Sequence, residues 1–278
     1  MAKTWFITGA TRGMGAEFVK AALATGSNVV ATGRDPKKIE ALFPDASKQL
    51  LILPLDVADE HQAAAAVTAG AEHFGSIDVL VNNAGYGELG VFESHEAEGA
   101  ARQFATNVFG LFNVTRAVLP FMRAQRFGRI FNLSSIAGIR GNAGATLYCA
   151  SKFAVEGFSE ALLAEVSQFN IKVTLIEPGY FRTDFLDTSS MRPADKKIAD
   201  YAATTAALNE RYTALNHQQV GDPAKLASLL VELAAHENPP VRLPVGSDAS
   251  QILADRIDSL RSEFEQWKHW SGRTDGEF

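Results

Sequence analysis

A single cysteine, Cys149, stands among 278 residues, so no intrachain disulfide can form, and a reducing compartment is the expected setting. No stretch approaches the roughly 18 uninterrupted apolar residues of a membrane-spanning helix. The N-terminal run Met-Ala-Lys-Thr-Trp-Phe-Ile-Thr-Gly leads directly into a strand pattern. It lacks the apolar segment and small-residue cleavage site of a secretory signal, so a cytoplasmic chain that does not engage a membrane is expected. A net charge of −6 offers no basic excess for nucleic acid. The six histidines show no metal-ligand spacing, and one cysteine excludes a cysteine-based zinc site, so no metal is expected. Linkers, repeats and low-complexity segments are also missing.

What is present is an alternation. Short apolar, β-branched runs at Trp5–Thr8, Asn28–Thr32, Leu50–Leu53, Asp78–Asn82, Arg129–Leu133, Ile171–Ile176 and Arg242–Val245 read as strands. Their continuous apolar character suggests burial on both faces of a parallel sheet. Helical patterns fill the gaps at about 14–25, 36–43, 60–74, 99–124, 147–169, 223–236 and 249–268. This rhythm predicts an α/β fold, a doubly wound parallel sheet of about seven strands with helices on both faces. The irregular stretch from Gly179 to about Gln219 mixes apolar and charged residues. It is expected to be a substrate lid at the carboxyl edge of the sheet, the alternative being a surface-packed insertion.

The first strand runs into Thr8-Gly9-Ala10-Thr11-Arg12-Gly13-Met14-Gly15, and a helix pattern follows. Glycines let backbone N–H groups approach a pyrophosphate, and the helix N-terminus adds orphan donors and a positive dipole end. The turn could be simple strand-to-helix punctuation, but its place after the first strand favours a dinucleotide. Strand two ends in Gly33-Arg34, with no acid at the position where a carboxylate would hold a ribose 2′-OH. Arg34, with Arg12 in the glycine turn, suits a 2′-phosphate, which points to NADP(H). Asp35 is expected to cap the next helix, with Pro36 at its first position.

Tyr148 and Lys152 are four residues apart in Tyr-Cys-Ala-Ser-Lys, one turn apart on one helix face. An ammonium beside a phenol is expected to lower the tyrosine pKa from its usual value near ~10, making a proton donor or acceptor usable near neutral pH. A solvated lysine on an amphipathic helix is the alternative. Ser135, thirteen residues before Tyr148, stands at a strand end.

In order along the chain, Thr8-Gly9-x-x-x-Gly13-x-Gly15, Leu55-Asp56-Val57, Asn82-Asn83-Ala84-Gly85, Asn107, Asn132-Leu133-Ser134-Ser135, Tyr148-x-x-x-Lys152 and Pro178-Gly179 with Thr183 resemble the short-chain dehydrogenase/reductase family over nearly the whole length. The resemblance is to its one-domain, Tyr-x-x-x-Lys, NADP-preferring branch, and it implies one NAD(P)-binding Rossmann domain over residues 1–278. It implies a catalytic set of Asn107, Ser135, Tyr148 and Lys152. Ser135 would bond the substrate oxygen as charge develops. Ser134 would face the other way and make a structural backbone bond. Tyr148 would pass a proton to or from that oxygen, and Lys152 would also bond the nicotinamide ribose. Asn107 would hold a water of a proton relay; a packed asparagine bonding nearby backbone is the alternative. The cofactor contacts implied are Gly9, Thr11, Arg12, Gly13, Met14, Gly15 and Arg34, with Asp56 and Val57 at the adenine. Asp56 could instead simply start a helix. Asn83, Ala84 and Gly85 would lie under the ribose, Pro178 and Gly179 would approach the nicotinamide, and Thr183 would bond the carboxamide or pyrophosphate.

These features lead to the expectation of an NADPH-dependent oxidoreductase that reduces a ketone or aldehyde. The alternatives are an NADP-dependent alcohol dehydrogenase, hydroxysteroid-like or 3-hydroxyacyl, working oxidatively, and a non-catalytic NADP-binding regulator. Tyr86, Phe181, Phe185, Leu186 and Met191 suggest an apolar substrate site. No arginine cluster awaits an acidic group, Arg182 being the single exception, so an uncharged, fairly hydrophobic carbonyl compound is expected. The resemblance also implies a homodimer or homotetramer through helices 99–124 and 147–169. The alternative is that the sheet consumes both apolar faces.

Overall fold

The computed structural model describes residues 2–45, 48–187 and 190–276; Thr188 and Ser189, inside the expected lid, lie outside the described residues. In chain order the strands are β1 (Thr4–Ile7), β2 (Asn28–Gly33), β3 (Leu50–Pro54), β4 (Val79–Asn82), β5 (Gly87–Leu89), β6 (Gly128–Leu133), β7 (Ile171–Pro178), β8 (Met191–Pro193) and β9 (Arg242–Val245). The α-helices are α1 (Gly13–Ala24), α2 (Pro36–Leu42), α3 (Glu60–Phe74), α4 (Ala97–Phe104), α5 (Gly110–Gln125), α6 (Thr146–Val166), α7 (Ala202–Leu215), α8 (Pro223–Ala235) and α9 (Ser247–Ser271).

Seven strands make one all-parallel sheet in the order β3-β2-β1-β4-β6-β7-β9. Alternate residues of β1 serve opposite cores. Trp5 and Ile7 share one buried cluster with Phe18 and Val19 of α1 and Leu226 and Leu230 of α8. Phe6, between them, joins Val67 of α3, Val118 of α5 and Leu162 of α6 on the other side. Both faces are therefore covered, which is why the strands read as unbroken apolar runs. The expected doubly wound fold is present. Strand order reverses between β1 and β4, and a crevice opens there at the carboxyl ends of the strands.

Three departures from the sequence reading bear on the site. The helix expected over 99–124 is broken: α4 passes through a π-helical turn, Ala105–Phe109, before α5 begins. An inserted residue of this kind often sits at a functional position, and Asn107 lies in its centre. The stretch read as irregular contains ordered elements. Strands β5 and β8 pair in parallel, with Glu88 opposite Arg192, and α7 follows. Helix α7 was hidden because none of its residues is buried, so it has no apolar stripe to read. Each of β5 and β8 is only three residues long, too short for a periodicity signal. Lastly, α9 extends to Ser271, and Ala249 is its one buried residue among those described.

Candidate active site

A cleft of about 630 Å³ runs along the carboxyl ends of the strands, and every residue assigned above to the dinucleotide, from Gly9 to Thr183, lines it. Gly9 and Gly13 take left-handed conformations, φ 68° and 54°. A Cβ on Gly15 would stand 2.2 Å from the Gly9 carbonyl oxygen, so only glycine permits this tight turn into α1. Arg12, at the N-cap of α1, contributes no capping bond, and the first turn holds no acid. The orphan N–H groups and dipole end are thus left for an anion, which fits a pyrophosphate. Asn83 braces the turn by donating to the carbonyls of Thr8 and Gly9 at 2.9 and 3.1 Å. The Thr8 hydroxyl accepts from the N–H groups of Asn83 and Ala84, both at 3.0 Å.

Gly33 and Arg34 border the cleft at the end of β2, whereas Asp35 does not. Asp35 occupies the N-cap position of α2 with Pro36 after it, but its side chain makes no capping bond, contrary to expectation. Arg12 donates to the Ser190 hydroxyl at 2.7 Å and so ties the glycine turn to the excursion across the cleft. Asp56 accepts from the N–H of Ala58 at 3.1 Å, while Asp59 caps α3. The glycine cradle, the uncapped helix and the guanidinium at the end of β2 together fit a phosphorylated dinucleotide.

Ser135 follows β6 and opens a short 3-10 turn, its hydroxyl accepting from the N–H of Ala137 at 3.1 Å. It lines the cleft with Tyr148. Lys152 donates to the Leu133 carbonyl at 2.6 Å, and its ammonium is 5.7 Å from the Tyr148 ring centroid. One correction concerns the acid strength of the tyrosine. Desolvation pushes Tyr148 up to about 12, with the Ser135 hydroxyl opposing, and Lys152 does not bring it down. The ammonium is held on a backbone carbonyl, and burial lowers its own pKa to about 8, with Glu156 opposing. Tyr148 is therefore protonated at neutral pH.

The side chain of Asn107 is spent on protein partners. Its oxygen accepts from Tyr86 N–H at 3.1 Å, and its nitrogen donates to the Tyr86 carbonyl at 3.0 Å and to Ser151 Oγ at 3.2 Å. That is the packed arrangement weighed above as the alternative, and the residue does not line the cleft. Ser134 differs from expectation too. Its hydroxyl donates to buried Glu156, which pairs with Arg242. Arg242 also meets buried Glu177 at 2.8 Å and Glu160 at 2.7 Å. Burial lifts Glu156 to about 7. This acidic knot lies one helical turn below Lys152 and favours its charge. Cys149 is a packed small side chain among Leu89, Ala137 and Ala145.

On the substrate side, the Phe185 ring lies 5.3 Å from that of Tyr148, and Tyr86 and Leu186 line the same wall. Two assignments change. Met191 packs with Leu89, Leu186 and Tyr212 and does not line the cleft. Phe181 reaches the cleft but is 9% exposed and belongs to the main core. Gly179 is required for another reason than expected: a Cβ there would lie 2.2 Å from Asp248, which accepts the Tyr180 N–H at 2.8 Å. The absence of arginines is also overturned, since Arg102, Arg192 and Arg211 border the cleft. Arg102 pairs with buried Glu88 at 3.3 Å, Arg192 sits 5.7 Å from the Tyr86 ring centroid, and Arg211 donates to Tyr180 Oη at 3.1 Å. Asp184, Asp187 and His217 also converge, their ligand atoms within 4.8 Å of one another, which no sequence spacing signalled. His217 meets Asp187 at 3.2 Å, and Asn216 donates to the same carboxylate at 2.6 Å, so the protein's own bonds account for the cluster.

With this geometry in place, the comparisons are decisive for the family. Residues 3–193 match the short chain dehydrogenase family model. The chain belongs to that family. It is 38% identical over 272 residues to "Oxidoreductase BOA17" of Botryotinia fuckeliana, covering 98% of each chain. It is 37% identical over 262 residues to a 3-ketodihydrosphingosine reductase of Bacteroides thetaiotaomicron, covering 94% of each. Among solved structures, a short-chain dehydrogenase from Streptomyces avermitilis superposes with a TM-score of 0.91 at 35% identity, covering 99% of this chain and 100% of the other. A short chain dehydrogenase/reductase from Burkholderia phymatum in complex with NAD gives 0.82 at 25% identity over 96% and 95%. A serine dehydrogenase complexed with NADP+ gives 0.75 at 27% identity over 87% and 94%.

As a short-chain dehydrogenase, the protein is an oxidoreductase, and no helix among its described residues is long and apolar enough to cross a membrane. The family motifs account for the strand-end residues. They did not reveal Arg102, Arg192, Arg211, Tyr180, Tyr212 or Gln219, all of which line the cleft. The one local signal for these was Tyr180, directly after Pro178-Gly179.

Proposed function

We propose that the protein is an NADPH-dependent carbonyl reductase that converts a ketone or aldehyde to its alcohol. The observation that carries this reading is the half-buried Tyr148, which lines the cleft beside Ser135 and Lys152, with desolvation holding its phenol in the protonated form at neutral pH. A neutral phenol is the form that can donate a proton to a carbonyl oxygen; the oxidative direction would need the phenolate.

In this reading the glycine turn and the α1 N-terminus hold the pyrophosphate. Arg34 holds the 2′-phosphate, Asp56 and Val57 border the adenine, and Asn83 to Gly85 lie under the ribose. Thr183 and the Pro178-Gly179 backbone border the nicotinamide, and Lys152 bonds its ribose. The cofactor supplies the hydride when bound. Ser135 and Tyr148 grip the substrate oxygen, Ser135 donating a hydrogen bond as negative charge develops and Tyr148 giving up its proton. Lys152, charged below about pH 8, stabilises the phenolate that remains. NADPH is favoured over NADH because Arg34 borders the cleft while Asp35 does not.

The excursion 180–219 serves as the substrate lid. Phe185 of the excursion faces the cleft together with Tyr86, and arginines stand at the rim, which suits a substrate with an apolar body and a polar end. The relative named for reducing a 3-keto compound fits the same direction of chemistry. Cytoplasmic NADPH would be the reductant. Phe109 and Phe153 are exposed on the outer side of the α5 and α6 layer, and we propose them as part of a homo-oligomer face.

The test is a panel of carbonyl compounds assayed with NADPH and with NADH, following loss of the reduced cofactor. Turnover with NADPH at a kcat/KM at least about tenfold above that with NADH is expected. Tight NADPH binding without turnover of any carbonyl would instead support the regulatory reading, and equal use of NADH would overturn the cofactor assignment.

A further inference from the structure

Helix α9 is attached at its first turn and then runs free. Asp248 anchors it to Tyr180, and Ala249 is buried, but the turns that follow leave large apolar side chains in solvent. Ile257 and Leu260 are each 47% exposed, Phe264 59% and Trp267 51%. Counting from Leu253, these residues follow at intervals of 4, 3, 4 and 3, a heptad stripe. Leu260, Phe264, Trp267 and Ser271 lie along one open face of the helix, with Glu263 and Lys268 beside them.

The geometry points to a second copy of this chain as the occupant. Apart from Trp270, 52% exposed beside Trp267 near the end of the helix, the stripe keeps to two positions in seven, the seam of a helix pair and narrower than the face of a helix lying on a membrane. The helix as a whole is not the basic helix of a lipid surface either: Asp248, Asp255, Asp258, Glu263 and Glu265 outnumber Arg256, Arg261 and Lys268, and Glu263 stands among the three cations at the positions that flank the stripe. Among the described residues, Arg256 and Glu263, beside the stripe, are in no ion pair. We propose that α9 pairs with its counterpart antiparallel, Ile257 of each copy against Leu260 of the other and Phe264 against Leu253. This register sets Arg256 of each copy facing Glu263 of the other, twice by symmetry, in a self-complementary interface that closes. A parallel pairing would set Arg256 against Arg261, a repulsion that offsets its one attraction, Glu263 against Lys268, so the antiparallel register is the better matched in charge. The pairing does not depend on the catalytic reading.

The experiment is light-scattering mass measurement of the full chain with variants on α9, circular dichroism serving as the folding control. The wild type is expected to have an even number of copies, and Leu260→Lys with Phe264→Lys to halve the mass. Arg256→Glu or Glu263→Arg alone should raise the dissociation constant of the pair roughly tenfold, about 1.4 kcal/mol. The double exchange should restore it, which a variant that merely misfolds would not do. A monomeric wild type, an unchanged mass in the Leu260/Phe264 variant, or tighter association of Arg256→Glu would overturn the proposal. So would loss of co-sedimentation with phosphatidylcholine/phosphatidylglycerol vesicles at unchanged mass, which would assign the stripe to a membrane surface.

Discussion

Along the dinucleotide wall of the cleft, the lining residues stand within two residues of a strand end: Gly9 after β1, Arg34 after β2, Asp56 after β3, Asn83 after β4, Ser135 after β6, Gly179 after β7. Across the cleft the wall is assembled from β5, β8, α4 and α7, which owe their places to the β5–β8 pairing and to contacts between distant segments. The first wall is set by a sheet buried on both faces, so a spacing in sequence becomes a position in space. The second depends on contacts such as Glu88 with Arg102 and Arg12 with Ser190, which leave no local trace. The sheet-anchored wall should therefore govern chemistry and cofactor for every substrate, and the other wall the choice of substrate.

The sharpest way to break this division is Ser135→Ala. Loss of one donor to a developing oxyanion typically costs about 10²–10³ in kcat, and the loss should be similar across all carbonyl substrates that turn over. A large loss for one substrate and none for another would move Ser135 to the substrate-choosing wall. Next comes Arg34→Asp. Replacing the charge-assisted contact to a 2′-phosphate with a like charge should weaken NADPH binding by roughly 10- to 100-fold and improve NADH use. A fluorescence titration giving the same NADPH affinity would remove Arg34 from the site.

The dinucleotide wall could be read from sequence almost residue by residue because its motifs and its geometry coincide. The reading failed where a residue's surroundings come from elsewhere in the chain. Asn107 could be found but not its π turn, which the amide bonds to Tyr86 accompany. The Tyr148-x-x-x-Lys152 spacing was plain, yet the direction of the tyrosine's shift was missed, because Leu133 holds the ammonium and burial dominates. The arginines at the rim were invisible because α7 buries nothing and β8 is three residues long.

A smaller effect follows from Lys152. Its charged form is the useful one and its pKa is lowered to about 8, so the charged fraction declines as pH rises through 8. The kcat/KM for reduction should be level below about 8 and fall by up to tenfold for each further pH unit. A profile level to pH 10 would show that the lysine charge is not used. The smallest effect belongs to the other wall: Arg192→Ala should change kcat/KM for a neutral carbonyl compound by only a few-fold, the size of an exposed cation–π contact, and leave NADPH affinity unchanged. A loss equal to that of Ser135→Ala would erase the distinction between the walls.

The most direct test of the central claim, that neutral Tyr148 is the proton donor beside an NADPH cleft, is Tyr148→Phe examined for NADPH binding and for carbonyl turnover in one preparation. The account predicts unchanged NADPH affinity with kcat reduced by about 10²–10⁴, the usual worth of a positioned general acid. A phenylalanine variant that kept the wild-type kcat would contradict it.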